Sequence, residues 1–213
     1  MALGLGACMV LAFLCKENGV LLPLFALVLD ATVFRAQVAE LPSGLQWWRR
    51  VLIWPVVIVV MGYLVIQLAH LGSGGGTRDF TLGERLLTEP RVVFDYLSNI
   101  FLPRFGLYGL YHDGFAISRS VLTPWTTLPA IIGILGAAVL GFVSRRRWPL
   151  LALAILWYLG GQLIESSTVM LELYFEHRNY VPIIGPFIAI ALGVVGTHEP
   201  LLRKRLMGVA ILW

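Results

Sequence analysis

Charge is what this chain has least of. Only 13% of its 213 residues are Asp, Glu, Lys or Arg, where a soluble domain carries about 25%. The hydrophobic fraction is 58% and the mean hydropathy +0.82, which excludes an ordinary soluble enzyme. Cysteine is almost missing too. Cys8 and Cys15 lie on one apolar run and read as small buried hydrophobes, with neither a disulfide framework nor metal-ligand spacing. No GxxxxGK[ST], G-x-S-x-G or H-E-x-x-H pattern occurs, so a P-loop ATPase, a serine hydrolase of the elbow type and a zincin are not indicated. A strict period-two alternation is also lacking, which argues against barrel strands. The net charge of +4 does not point to nucleic acid, because the basic residues cluster at the ends of apolar runs.

What remains is an all-α, polytopic transmembrane helix bundle. Apolar spans fall at about 2–15, 18–34, 51–71, 128–143, 148–164 and 181–197, and a seventh begins near 206. The first run lacks a basic n-region and a small-residue cleavage site, so it is not read as a signal peptide. Asn18-Gly19 marks a turn between the first two spans. Arg35, Arg49 and Arg50 flank a 35–50 loop, while Arg145–Arg147 and Arg203-Lys204-Arg205 form two further clusters. With all three on the cytoplasmic side, the alternation of spans closes without conflict. The opposite, exoplasmic side then receives Lys16-Glu17, a long loop at 72–127, and residues 165–180. The whole of 1–213 is one transmembrane domain, with 72–127 as a loop within it. The chain ends half a span after a basic cluster, at Met207–Trp213, an ending expected of a piece of a longer protein.

The long loop opens on Gly72-Ser73-Gly74-Gly75-Gly76, a flexible hinge. After Pro90, the apolar residues Val92, Val93, Tyr96, Leu97, Ile100 and Phe101 recur at helical spacing. This predicts an amphipathic helix over 91–101 lying on the membrane surface. Pro103, Phe105, Tyr108, Tyr111 and Trp125 suit an interfacial belt. Arg78, Arg85, Arg91, Arg104 and Arg119 alternate with Asp79, Glu84, Glu89, Asp95 and Asp113, the pattern of a solvated, salt-bridged surface. Tyr108, Tyr111, His112 and Asp113 offer aromatic faces and a carboxylate to a sugar, as a weaker signal. His70 and His198 read as interfacial residues.

Two constellations carry possible chemistry. The first is Lys16-Glu17, where a lysine at a helix end binds a phosphate and Glu17 orients it; the plain alternative is a snorkelling lysine beside a solvated carboxylate. The second is Glu165, Glu172, Glu176, His177, Arg178 and Tyr180, packed between two apolar spans. Arginine beside carboxylates suits an anionic ligand, because its planar fork donates two parallel hydrogen bonds. The alternative is an ordinary polar loop. Glu165, Glu172 and Glu176 share a face if the segment is helical. Tyr180-Val181-Pro182 reads as the start of the next span, with Pro182 in its first turn. No cofactor is indicated, and a divalent metal finds no support in the spacing.

Two short motifs carry a resemblance. Phe13-Leu14-Cys15-Lys16-Glu17-Asn18-Gly19-Val20 and Glu176-His177-Arg178-Asn179-Tyr180-Val181-Pro182 resemble patches of GT-C class membrane glycosyltransferases. The likeness is to the membrane half of the tetratricopeptide-repeat O-mannosyltransferase-like proteins and their bacterial relatives. It covers about fifteen residues of motif, and Arg178 stands about one position from the arginine of the animal members. The resemblance implies a polyprenyl-phosphate-linked sugar as donor, the exoplasmic face of a bacterial inner membrane as the place of reaction, and a protein or other hydroxyl as acceptor. It implies phosphate contacts from Arg178 and Lys16, with Glu176 orienting Arg178 and Tyr180 at the lipid phosphate. Glu17 and His177, within the motifs, and Glu165, from the polar constellation read above, complete the candidate site. The family's acidic residue of the first exoplasmic loop has no counterpart here, so the catalytic base is unassigned and a fragment inactive by itself is expected.

Two other classes compete. A transporter or flippase of lipid-linked glycans calls for polar residues deep within several spans, yet only Gln67 and Gln162 interrupt the runs, near their ends. A membrane scaffold without chemistry predicts that charge reversal at Glu176 and Arg178 is tolerated.

Overall fold

The computed structural model describes residues 2–70, 79–102, 114–169 and 171–196. The described residues form eight α-helices and three short 3-10 turns, with no strand. Helix α1 (Ala2–Cys15) is followed by a 3-10 turn, Glu17–Leu21, and by α2 (Leu22–Ala31). Helix α3 (Arg35–Ala39) precedes α4 (Ser43–Gln67), then α5 (Leu82–Phe101), α6 (Thr127–Ser144), α7 (Pro149–Gln162) and α8 (Ile184–Val195). Three segments are long and apolar enough to cross a membrane: Ser43–Gln67, Thr127–Ser144 and Glu176–Val195. The apolar helices Gly6–Cys15, Asn18–Ala31 and Pro149–Gln162 are shorter. The hinge at 72–76, the aromatic and acidic residues at 103–113, His198 and the run from 203 onward lie outside the described residues.

Helix α7 is the hub, packing against α6, α8 and α2. Its small residues permit this. A Cβ on Gly161 would meet Pro182 at 2.8 Å, and one on Gly185 of α8 would fall on the Trp157 side chain. Small residues let apolar helices approach closely when burial alone gives no drive for association. Val28, Leu153 and Ala189 bring α2, α7 and α8 into one core, and Phe25 stacks on Trp157 with centroids 4.3 Å apart. By contrast α4 and α6 show broad outward apolar faces, including Ile58, Val59, Val65 and Ile66 on α4 and Ile132, Leu135 and Val139 on α6. Such faces fit contact with lipid rather than water.

Several expectations are corrected. Helix α4 begins at Ser43, so Arg49 and Arg50 sit in its second turn and not at the end of a loop. Trp47 and Trp48 next to them extend the helix beyond its apolar core. Cys8 and Cys15 are exposed, not buried, because α1 turns an apolar face outward with Val10, Leu11 and Leu14. Pro182 is buried in the turn before α8, whose first residue is Ile184.

The loop helix also starts earlier than expected. Thr81 caps it: its hydroxyl accepts from Glu84 N (3.2 Å), and Glu84 Oε2 accepts from Thr81 N (2.8 Å). This reciprocal capping box satisfies two otherwise orphaned amides. The helix then runs through Pro90, which removes one internal hydrogen bond without ending it. Nor does it merely lie on a surface. Val92 and Tyr96 are buried against Tyr174, with Phe115 beside them, and Tyr158 of α7 donates to Val93 O at 2.9 Å.

Candidate functional site

The two motifs, far apart in sequence, meet at one end of the bundle. Chain direction changes sharply after Cys15. Lys16 is extended, and Gly19 lies so close to α1 that a Cβ there would fall on the Ala12 carbonyl. This tight turn delivers Lys16 and Asn18 to the segment after α7. Lys16 Nζ stands 4.9 Å from the centroid of the Tyr180 ring, a cation–π distance. Asn18, itself buried, donates from Nδ2 to Glu165 Oε1. The Glu17 side chain lies outside the described residues.

The 165–180 segment is not a helix. After α7 it forms turns through Thr168, and irregular backbone over 171–175 leads into the 3-10 turn Glu176–Tyr180. Glu165, Glu172 and Glu176 therefore do not share a helical face: Glu165 is buried and Glu172 exposed. Arg178 folds back over the segment. Its Nε stands 3.4 Å from Glu165 Oε2, its Nη1 donates to the Glu172 carbonyl, and its guanidinium carbon lies 5.5 Å from the Phe175 ring centroid. Glu165 is thus a carboxylate placed to orient Arg178. His177 is exposed and meets Phe175 edge-on at 4.0 Å. Tyr180 is 49% exposed.

Beneath this surface lies a strut that sequence reasoning missed. Arg85 of α5 is fully buried. Its guanidinium donates to the carbonyls of Ser167 (3.2 Å), Leu171 (2.5 Å), Glu172 (3.0 Å) and Glu165, and it pairs with Glu89 at 2.7 Å. Arg85 and Glu89 are therefore not part of a solvated surface. An irregular segment has carbonyls with no helical partner, and a planar five-donor group can gather several at once. Burial pushes the Glu89 carboxyl up to about 7, against the opposing pull of Arg85. Gln162, another residue the sequence offered only as a span-end polar group, donates to Asn179 Oδ1 at 2.7 Å and accepts from Ser166 Oγ at 3.0 Å. The signal for Arg85 and Glu89 was present: with Leu82, Val92 and Tyr96 they fall on one face of α5, so the charges are in phase with its buried stripe.

A second polar feature adjoins this network. Tyr174 donates to Asp95 Oδ2 at 2.7 Å and accepts from Asn99 Nδ2 at 2.9 Å. Burial, then the Asp95 carboxylate, raise the Tyr174 hydroxyl's pKa, so it stays a donor. Asp95 lines a cavity of about 520 Å³ with Arg91, Phe94, Ser98, Phe115 and Thr126. Arg91 is fixed by the Ala116 carbonyl (2.6 Å) and Ser118 Oγ (3.1 Å), and lies 4.9 Å from the Phe115 centroid. Aromatic faces, a fixed carboxylate and a fixed guanidinium around one cavity suit a polyhydroxylated ligand.

Among the described residues no group of three or more His, Cys, Asp or Glu is arranged to hold a metal ion. No protein-family model, curated protein or solved structure matches the chain.

Proposed function

We propose that this chain is the substrate-binding part of a GT-C type membrane glycosyltransferase. In this reading it crosses a bacterial inner membrane six or seven times, and the site faces the periplasm. The donor is a polyprenyl-phosphate-linked sugar and the acceptor a protein or other hydroxyl. One observation carries the reading: Lys16 and Asn18 of one motif meet Tyr180 and Arg178 of the other at one end of an apolar bundle, with Glu165 between Asn18 and Arg178. Two cations near an exposed tyrosine, at the end of apolar helices of which Glu176–Val195 is long enough to cross a bilayer, suit a phosphate carried on a lipid.

Arg178 binds the phosphate as a guanidinium held in place by Glu165, and Lys16 adds a second positive charge. Charge on the leaving phosphate grows during transfer, so preorganised cations stabilise the transition state more than the ground state. Tyr180 hydrogen-bonds the same phosphate. The acceptor takes the cavity beside Asp95, whose carboxylate receives a hydrogen bond from the acceptor hydroxyl.

The test uses purified protein and a polyprenyl-phosphate sugar, with the uncharged polyprenol as control. The expected result is preference for the phosphate, lost by roughly tenfold or more in Arg178→Ala, with helix content unchanged by circular dichroism. Label should also pass from donor to protein in membranes containing the wild type and its natural partners, and not with the variant. Equal binding of polyprenol and polyprenyl phosphate would refute the phosphate site. A tolerated Glu176→Lys, Arg178→Glu double reversal would favour a scaffold.

A further inference from the structure

At the opposite end of the bundle, between α2, α3 and α4, lies a cavity of about 540 Å³. That is within the about 300–1,000 Å³ of small-molecule sites. Its walls are apolar, built largely from Leu29, Leu41, Leu45, Leu52 and Trp48, with one ion pair, Asp30–Arg49, set into them. A neighbouring cavity of about 240 Å³ shares Asp30, Val38, Arg49 and Ile53 and adds Arg50 and Trp54. The two spaces thus flank one polar centre. The two linings together hold two arginines, Arg49 and Arg50, and one carboxylate, Asp30, so their net charge is positive.

We infer that this paired cavity is a binding site for an anionic phospholipid from the leaflet at the basic end of the bundle. The inference is independent of the glycosyltransferase reading and rests on α4 crossing the bilayer. Three features favour this occupant over others. The apolar walls match acyl chain. The excess of guanidinium over carboxylate matches a phosphate carrying net negative charge, and basic pockets between membrane helices take such headgroups. Trp47 and Trp48, both about half exposed, precede Arg50 by three and two residues in α4, where interfacial aromatics mark headgroup depth. Asp30 has a definite part: it holds Arg49 toward the polar centre and leaves Arg50 to the phosphate. The chain is shaped for this by Gln46, whose Nε2 donates to the Leu41 carbonyl at 2.9 Å and ties the α3–α4 link to α4.

The experiment is native mass spectrometry of protein released from bilayers of equal phosphatidylglycerol and phosphatidylcholine with identical chains. Wild type should retain phosphatidylglycerol preferentially. Arg50→Gln should reduce that preference by roughly fivefold, the worth of one surface arginine. Leu45→Trp, which fills the larger cavity, should reduce retention of both lipids while the circular dichroism spectrum is unchanged. Glycerol phosphate, which has the headgroup and no chains, should not displace the lipid. Equal retention of both lipids by the wild type, or no effect of Leu45→Trp, would overturn the assignment. So would displacement by glycerol phosphate, or a lipid-free dimer as the dominant species, which would make the occupant a second copy of the chain.

Discussion

Asn18 donates a side-chain hydrogen bond to Glu165, across 147 positions of sequence, and both residues are buried. That bond ties the turn after α1 to the turns after α7. The opposite oxygen of Glu165 faces Arg178, so one carboxylate couples both motifs. Asn18→Ala removes the donor and leaves a buried carboxylate oxygen without it. A loss of about 1–3 kcal/mol is expected, read as a lower melting temperature in detergent. Asn18→Asp should be worse, since it sets a second carboxylate against the first. A melting temperature unchanged in both variants would show that the bond does not hold the turns together.

Arg85→Ala is expected to be the most damaging substitution in the long loop. It would strip four carbonyls of their donor and leave Glu89 buried without its cation. Breaking such a buried pair from one side costs about 3–5 kcal/mol. Arg85→Lys should rescue little, because an ammonium cannot reproduce the fork that spans carbonyls from Glu165 to Glu172. Limited proteolysis would reveal it as new cleavage within 165–175. Resistance equal to wild type in both variants would remove the strut role.

The all-helical character and the approximate ranges of α1, α6 and α7 were legible, because long apolar runs with basic flanks admit few alternatives. So was the meeting of Lys16 with the Tyr180 segment, since each is a polar break between apolar runs. The loop was harder. Pro90 looks like a helix start, and the Thr81–Glu84 box that overrides it is a four-residue signal. Arg85 and Glu89 have the composition of a solvated surface, and only their phase with Val92 and Tyr96 marks them as buried. The irregular path of 165–175 was not legible, because it depends on an arginine 80 or more positions away. Local propensity says nothing about such a partner.

Glu89 makes stability depend on pH. Burial raises its carboxyl from 4.5 to about 7, with Arg85 and Arg178 opposing and Glu165 assisting. Below about 4.5 it is neutral in both folded and unfolded chains. Between about 4.5 and 7 the folded protein keeps the proton and the unfolded chain loses it, so this group's contribution to stability falls as pH rises. Above about 7 the contribution is constant. Glu89→Gln should therefore flatten the melting-temperature profile between pH 5 and 7.5. Arg85 keeps its carbonyl partners in that variant, so folding is retained. A wild-type profile with no descending component relative to Glu89→Gln would contradict the assignment.

Close helix approach, finally, makes two glycines irreplaceable by anything larger. At Gly185 a Cβ would fall on Trp157, whose indole donates to the Val181 carbonyl at 3.0 Å and stacks on Phe25. The ring cannot retreat without giving up that hydrogen bond or that stack, so Gly185→Ala separates α8 from α7. At Gly161 the added carbon would lie 2.9 Å from Pro182 Cα, and a backbone atom yields less readily than a side-chain end. Overpacking of this kind costs about 1–3 kcal/mol. Gly136, by contrast, has open space around its missing Cβ, and Gly136→Ala should be neutral or slightly stabilising through helix propensity. The three melting temperatures, taken in the same detergent, form one internally controlled series. Should Gly185→Ala and Gly161→Ala melt no lower than Gly136→Ala, the close packing of α7 on α8 and on the turn before it would be wrong. The site that this packing supports, where Gln162 and Asn179 meet, would then need a different scaffold.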